Sequence, residues 1–242
     1  MAKPVKLSTR TFETQTLALK YYREMLGGYE DGDRITDPEH DADLRALIER
    51  YDPLLENHGQ PVKGYQHIAY FERRRTETHG TSCFYFVRND GTEDKFSYRH
   101  AVIGKLKDRG EEFADACRQA VHLDCIVKKK RLFAMHANNT GRMRCEKTGQ
   151  LITYDEAHLD HEEPFFAEIV SEFQIINDWQ KGIPDDVISE PQALKTTATF
   201  NDCSIENAFR KFHLQRAKFR ILSVAANLST AHLARRPKGE KA

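Results

Sequence analysis

The stretch AHLDHEEPFF, residues 157–166, sets His158, Asp160 and His161 close together and follows them with Glu162, Glu163 and Pro164. A carboxylate beside an imidazole can hydrolyse a phosphodiester. Asp160 offers a hard oxygen ligand of the kind Mg²⁺ or Mn²⁺ prefers, and a bound ion stabilises charge on the phosphate and on the departing oxygen. His161 titrates near neutrality and can take the proton from an attacking water. Neighbouring side chains on an extended backbone diverge, so Asp160 can face an ion while His161 faces the water. His158 shares the face of Asp160, where it either assists the metal or meets solvent. Glu162 and Glu163 read as solvent-facing. Asp-His is a common dipeptide, so its setting must decide.

Before the cluster, a polar turn at Thr148-Gly149 leads into QLITYDEAHLDH, which is extended and mixed in polarity. After it, FFAEIVSEF places Phe165, Phe166, Ile169, Val170 and Phe173 at helical spacing. A linker with Pro184 and Pro191 follows. SIENAFRKFHLQRAKFRILSVAANLS then carries Ala208, Phe209, Phe212, Ala217, Phe219, Ile221 and Leu222, which predicts a long amphipathic helical stretch in one piece or two.

Strand, strand and helix with an Asp-His pair leaving the strands resembles the HNH (ββα-metal) nucleases. In that family the second hairpin strand ends in Asp-His with Pro shortly after, here Asp160-His161 and Pro164. The family's closing helix is matched by KFRILSVAAN, which keeps Phe219, Ile221 and Leu222 and ends at Asn227. The resemblance implies Asp160 and Asn227 as ligands of one Mg²⁺ or Mn²⁺ ion, with His158 assisting, and His161 as general base. It also implies His213, in KFHLQRA, as a phosphate-orienting or supporting group, and DNA as the substrate. The plain alternatives are a helix C-cap for Asn227 and a carbonyl-bonded, partly buried imidazole for His213. Many members carry Cys-x-x-Cys before the hairpin and again at the helix. Here Cys145 holds the first place, Thr148 the second, and Ser223 and Ala226 replace the helix cysteines. One thiol cannot complete a tetrahedral zinc site, so no structural zinc is expected, and apolar packing of the helix on the hairpin must replace it.

Basic residues surround this region. Lys128, Lys129, Arg131, Arg142 and Arg144 precede the hairpin; Arg210, Arg216, Lys218 and Arg220 lie on the closing stretch. They are the expected contacts to a nucleic-acid backbone, salt-dependent and largely blind to sequence. Solvated helix faces are the rival reading. Arg235, Arg236, Lys238 and Lys241 form a basic tail.

The N-terminal half reads as α+β. TFETQTLALKYYREMLGGY and DPEHDADLRALIERYDP carry helical periodicity, the first stopping at Gly27-Gly28 and the second opening on capping residues. YQHIAYFERRR and TSCFYFVRNDGTEDKFSYRHAV are aromatic and β-branched, with RNDGTE as a hairpin turn. A helical pattern runs from about Ile103 to Val121. His58, Lys63-Gly64, Cys83-Phe84, Arg88, Asp90-Gly91 and Phe96-Ser97-Tyr98 resemble the pattern of the DCL (defective chloroplasts and leaves) family over roughly residues 12–105. That resemblance implies a small α+β module linked to RNA processing, without an established catalytic set. Cys83, Phe84 and Phe96 read as core; Arg88 and His58 are either phosphate contacts or strand and helix ends.

The totals bound the rest. The chain has 242 residues, 39% hydrophobic and 31% charged, with zero formal net charge, so a general polyanion binder is disfavoured. Charge is segregated instead: residues 151–206 hold 13 acidic residues and two lysines, whereas residues 207–242 hold nine Lys/Arg and one glutamate. Opposite charges sorted by segment can build a phosphate-holding surface beside a carboxylate site. Five irregularly spaced cysteines argue against a disulfide framework and for a reducing cytoplasm. No apolar run is long enough for a membrane span or a secretory signal. The expectation is an α+β protein with a DCL-like recognition domain over residues 1–125 and an HNH-like nuclease domain over residues 126–242. Its partner is DNA, with RNA possible and a homodimer allowed. Nucleic-acid binding by a degenerate site, or RNA processing, are the alternatives.

Overall fold

The computed structural model describes residues 3–76, 81–190 and 197–230. The fold is α+β, with helices and small antiparallel sheets sorted into two compact units; the first runs through Lys107 and the second begins at Asp108. The basic tail from Arg235 to Lys241 lies outside the described residues.

The first unit opens with a short pair, β1 (Val5–Lys6) and β2 (Thr11–Phe12), followed by α1 (Gln15–Gly27) and α2 (Pro38–Asn57). Thr14 caps α1, and Asp37 caps α2 with Pro38 in the first turn, where a missing N–H costs nothing. Then come β3 (Ile68–Arg75), β4 (Ser82–Arg88), β5 (Glu93–Phe96) and α3 (Tyr98–Ile103), the strands forming an antiparallel sheet in that order. The β4–β5 hairpin turns where RNDGTE predicts it, with Gly91 at φ 82°, a conformation only glycine adopts freely.

Alternation along β4 sends Phe84 and Phe86 inward to meet Phe71 and Phe96, with Ala18, Tyr22, Leu44, Leu47 and Ile48 from the two long helices. Cys83 is only half-buried. Arg88 lies 3.6 Å from Asp94, and His58 follows the last turn of α2 with Nδ1 2.8 Å from the Leu54 carbonyl. Both therefore have local structural partners.

One charge sits deep in this unit. Asp43, on α2, is fully buried and accepts from Thr9 Oγ1 at 2.6 Å, from Tyr21 hydroxyl at 2.6 Å and pairs with Arg10 at 2.7 Å. Burial, and then the bond to Asp43, push the Tyr21 phenol upward. Replacing Asp43 with alanine leaves two hydroxyls facing a void and Arg10 with Glu39 as its remaining carboxylate. Breaking such a pair costs about 3–5 kcal/mol, and urea unfolding should show it; a cost under about 1 kcal/mol refutes this reading of the network.

The second unit begins with α4 (Arg109–His136), opened by an Asp108–Glu111 capping box, each side chain satisfying an orphan N–H of the other. The expected helix over 103–121 is thus corrected. Gly104, at φ 67°, ends α3, and a new helix starts at Arg109 and runs on to His136. The expected division at 125/126 would cut this continuous helix. Phe113, Ala116, Cys117 and Val121 pack in a cluster of the second unit, so the units divide at 107/108.

Next come β6 (Met143–Arg144), β7 (Leu151–Ile152), β8 (Ala157–His161), α5 (Phe166–Ile176), α6 (Cys203–Arg216), β9 (Phe219–Ser223) and α7 (Val224–Thr230). Strand β6 pairs with β7, and β8 with β9, both antiparallel. Two expectations are corrected here. The helical pattern over 204–229 is α6, then a strand, then α7, because Phe219, Arg220 and Ile221 alternate and pair along β8. The extended stretch QLITYDEAHLDH is two strands, β7 and β8, and the Asp160 strand pairs with β9 rather than back across the Thr148-Gly149 turn.

Two apolar clusters hold this unit. Ile169, Val170 and Phe173 of α5 and Phe209 and Phe212 of α6 meet the N-terminal half of α4. Phe133 at the other end of α4 packs with Cys145, Ile152, Ala157, Ile221, Leu222 and Ala226. Among the described residues, no helix is long and apolar enough to cross a membrane.

Candidate active site

The β8–β9 ribbon has two faces, and the chemistry-bearing residues divide between them. Cross-strand partners share a face, and the register pairs His158 with Leu222, Asp160 with Arg220, and His161 with Phe219. His158, Asp160 and Arg220 therefore point one way, and His161 points the other.

On the first face, Arg220 clamps Asp160, with Nε at 2.8 Å and Nη2 at 2.7 Å from the same carboxylate oxygen. Helix α7 follows β9 directly and carries Asn227 to the ribbon, where the side-chain amide lies 2.9 Å from His158 Nδ1. Asn227 is inside a helical turn rather than beyond its end. It is therefore a partner of His158, not a C-cap.

The register of α7 is fixed by a polar knot around Cys145. This thiol is buried at the β6–β7 turn and accepts from the Ser223 backbone N–H at 3.3 Å. Burial raises its pKa, but bonds from the Thr148 hydroxyl and from the backbone N–H groups of Ser223, Thr148 and Lys147 outweigh that and bring it down to about 6. Ser223 Oγ in turn accepts from the Ala226 N–H at 3.2 Å. Cys145, Thr148, Ser223 and Ala226 thus converge, although they lie in two stretches far apart in sequence. Glu146 reinforces the joint, exchanging bonds with the Ile221 backbone at 2.9 and 2.6 Å.

On the second face, His161 is turned into an aromatic pocket of Phe166 and Phe219, with its Nε2 2.8 Å from Nε2 of His213. His213 comes from α6 and is buried. Burial first, then the His213 and Arg118 charges, press the His161 pKa down to about 4. Burial lowers that of His213 as well, against the pull of Asp124. Cys125, on α4, completes this group: its Sγ and the ring nitrogens of His161 and His213 all lie within 4.8 Å of one another. Burial, then Asp124, raise the Cys125 thiol to about 11.

The structure therefore brings His158, Asp160, Arg220 and Asn227 together on or beside one ribbon face, and His161 with His213 on the other. Cys125 escapes sequence reasoning, because it stands inside a helix far from both histidines and forms no short motif with them. Of the basic residues, Lys128, Arg131, Arg142 and Arg144 are exposed. Lys129 lies over the Tyr154 ring at 4.0 Å, Arg216 pairs with Glu172 at 2.9 Å, and Arg210 pairs with Asp124 at 2.8 Å.

Residues 23–102, within the first unit, match a family described as a protein of unknown function, DUF3223. Among solved structures, the solution structure of an uncharacterized protein from Rhodospirillum rubrum is 28% identical, covering 42% of this chain and 89% of that one, with a TM-score of 0.34. Comparison with curated proteins gives no match.

Proposed function

We propose that the second unit is a divalent-metal-dependent endonuclease of the HNH kind, acting on DNA, with β8, β9 and α7 as its ββα element. The observation that carries this is the docking of α7 on the ribbon, which sets Asn227 against His158, two residues from Asp160 on the same face. The polar knot supports the alignment independently. The four positions where zinc-bearing relatives hold cysteines are Cys145, Thr148, Ser223 and Ala226, and here they form one hydrogen-bonded cluster.

The roles follow from the two faces. Asp160 is a partly exposed hard oxygen donor, and Mg²⁺ is commonly held by one or two carboxylates plus waters and substrate phosphates. The donor fits Mg²⁺ or Mn²⁺, which would supply Lewis-acid stabilisation of the phosphate. Arg220 neutralises Asp160 and, when released, is placed to grip a phosphate oxygen. His158 takes the base role expected of His161, because His161 is turned to the opposite face. Asn227 positions the ring, with its side-chain Nδ2 lying 2.9 Å from His158 Nδ1. The exposed Lys128, Arg131, Arg142 and Arg144 supply backbone contacts. The first unit, with its DCL likeness, serves recognition.

A second reading is nucleic-acid binding without cleavage. The Asp160–Arg220 ion pair favours it, since a carboxylate already paired in this way needs no metal. Purified protein, supercoiled plasmid and Mg²⁺ or Mn²⁺ decide between them. EDTA-sensitive nicking that is lost in His158→Ala is the expected result. DNA binding with no nicking in either metal would overturn the enzyme and leave the binding module. Matched RNA and DNA substrates separate nuclease from RNA processing.

A further inference from the structure

We infer that Cys125, His161 and His213 form a second metal site, one that binds Zn²⁺ and clamps three elements of the second unit. The three side chains come from α4, β8 and α6, and their ligand atoms lie within 4.8 Å of one another. This site shares no residue with the Asp160 face and stands or falls separately from the nuclease proposal.

The donor set selects the metal. One sulfur and two imidazole nitrogens suit a borderline-soft, tetrahedral ion, whereas Mg²⁺ and Ca²⁺ take oxygen. Tetrahedral zinc with bonds near 2.0–2.1 Å to nitrogen and 2.3 Å to sulfur separates its ligand atoms by roughly 3.3–3.6 Å. The His161–His213 Nε2 pair, at 2.8 Å, must open slightly, and Cys125 Sγ must close within its 4.8 Å limit. Both are adjustments of a size that side-chain rotation can supply. A fourth position remains for a water, the arrangement of three protein ligands and one open site that zinc often takes.

The surroundings argue that these groups are there for more than packing. His161 is ringed by Phe166 and Phe219, and His213 by Phe166, Phe209 and Phe219. Polar rings in an aromatic pocket are costly unless their nitrogens are engaged. A single N–H···N bond between the imidazoles satisfies one nitrogen of each and does not engage the nearby thiol, which packs against the apolar cluster. A zinc ion engages both rings and the sulfur at once. Binding displaces the Cys125 proton to solvent, leaving a thiolate on the metal.

The consequence is mechanical. His161 anchors the strand whose other face presents His158 and Asp160. Zinc on one side of β8 would fix the position of the groups on the other.

Metal analysis of the full-length protein tests this. After extensive dialysis, wild type is expected to carry about one zinc per chain. Cys125→Ala and His213→Gln should carry little, and Asp160→Ala should keep its full complement. Circular dichroism checks that each variant is folded. Replacing zinc with Co²⁺ should give the visible bands of a tetrahedral ion plus a near-ultraviolet thiolate charge-transfer band, and the latter should vanish in Cys125→Ser. A wild type that neither retains zinc nor gives these bands with Co²⁺ overturns the proposal. So does a cobalt spectrum identical in Cys125→Ser, or a stoichiometric load of copper in place of zinc.

Discussion

Asp160→Ala is expected to lower metal-dependent plasmid nicking by about 100-fold or more while leaving the second unit folded. The size follows from the role: Lewis-acid stabilisation of a phosphoryl oxygen is worth several kcal/mol, and each 1.36 kcal/mol is tenfold in rate. The stability side follows from exposure. Asp160 and Arg220 are 22% and 23% exposed, and partly solvated ion pairs contribute on the order of 1 kcal/mol or less. Asn227→Ala, which loses only the positioning of His158, should cost about 10–100-fold, with the pH profile of the rate altered. Near-wild-type nicking by Asp160→Ala would remove the carboxylate from the mechanism. An unfolded variant would instead make the Asp160–Arg220 pair structural, and Asp160→Asn, which keeps the shape, would then have to show the catalytic loss.

The second large effect concerns the scaffold. Phe209 is fully buried on α6, with ring centroids 5.1 Å from Phe173, 6.2 Å from Phe200 and 6.3 Å from Phe166. Truncation to alanine removes its transfer energy and leaves a cavity that these rigid rings cannot collapse into. Such changes cost about 3–5 kcal/mol, which in urea unfolding should appear as a lower midpoint with an unchanged slope. Because Phe209 also flanks His213, with centroids 6.1 Å apart, a variant that binds zinc more weakly should show a larger loss in protein loaded with zinc than in protein stripped of it. A cost near 1 kcal/mol would mean that the cluster is looser than its packing implies.

Sequence periodicity located most helices and the β3–β5 sheet because each is a local pattern. Helices α1, α2 and α5 show apolar residues at helical spacing, and the RNDGTE turn carries its own signal. It failed at Phe219–Ser223, where FRILS is short enough to fit the helical run on either side. What settles its state is the distant β8 strand, which periodicity cannot see. The domain boundary failed for a related reason. The N-terminal half of α4 looks like a continuation of the first unit until one sees which core receives Phe113 and Val121. The chemistry was half legible. Asp160 and His158 stand out by type and spacing and Asn227 by the HNH resemblance, and their gathering depends on α7 docking as Ser223 and Cys145 dictate. The pairing of His161 with His213 across the opposite face, and the arrival of Cys125, come only from three elements meeting.

The ribbon that carries Asp160 is built from strands separated by the whole α5–α6 region, residues 162–218. Closing so long an excursion is entropically unfavourable until the intervening helices have themselves collapsed. The ribbon should therefore be among the last parts of this unit to assemble, so that a half-folded chain has its apolar helices in place before Asp160, Arg220 and His158 are brought together. Pulsed hydrogen exchange during refolding should find the β8 amides protected after those of α5 and α6.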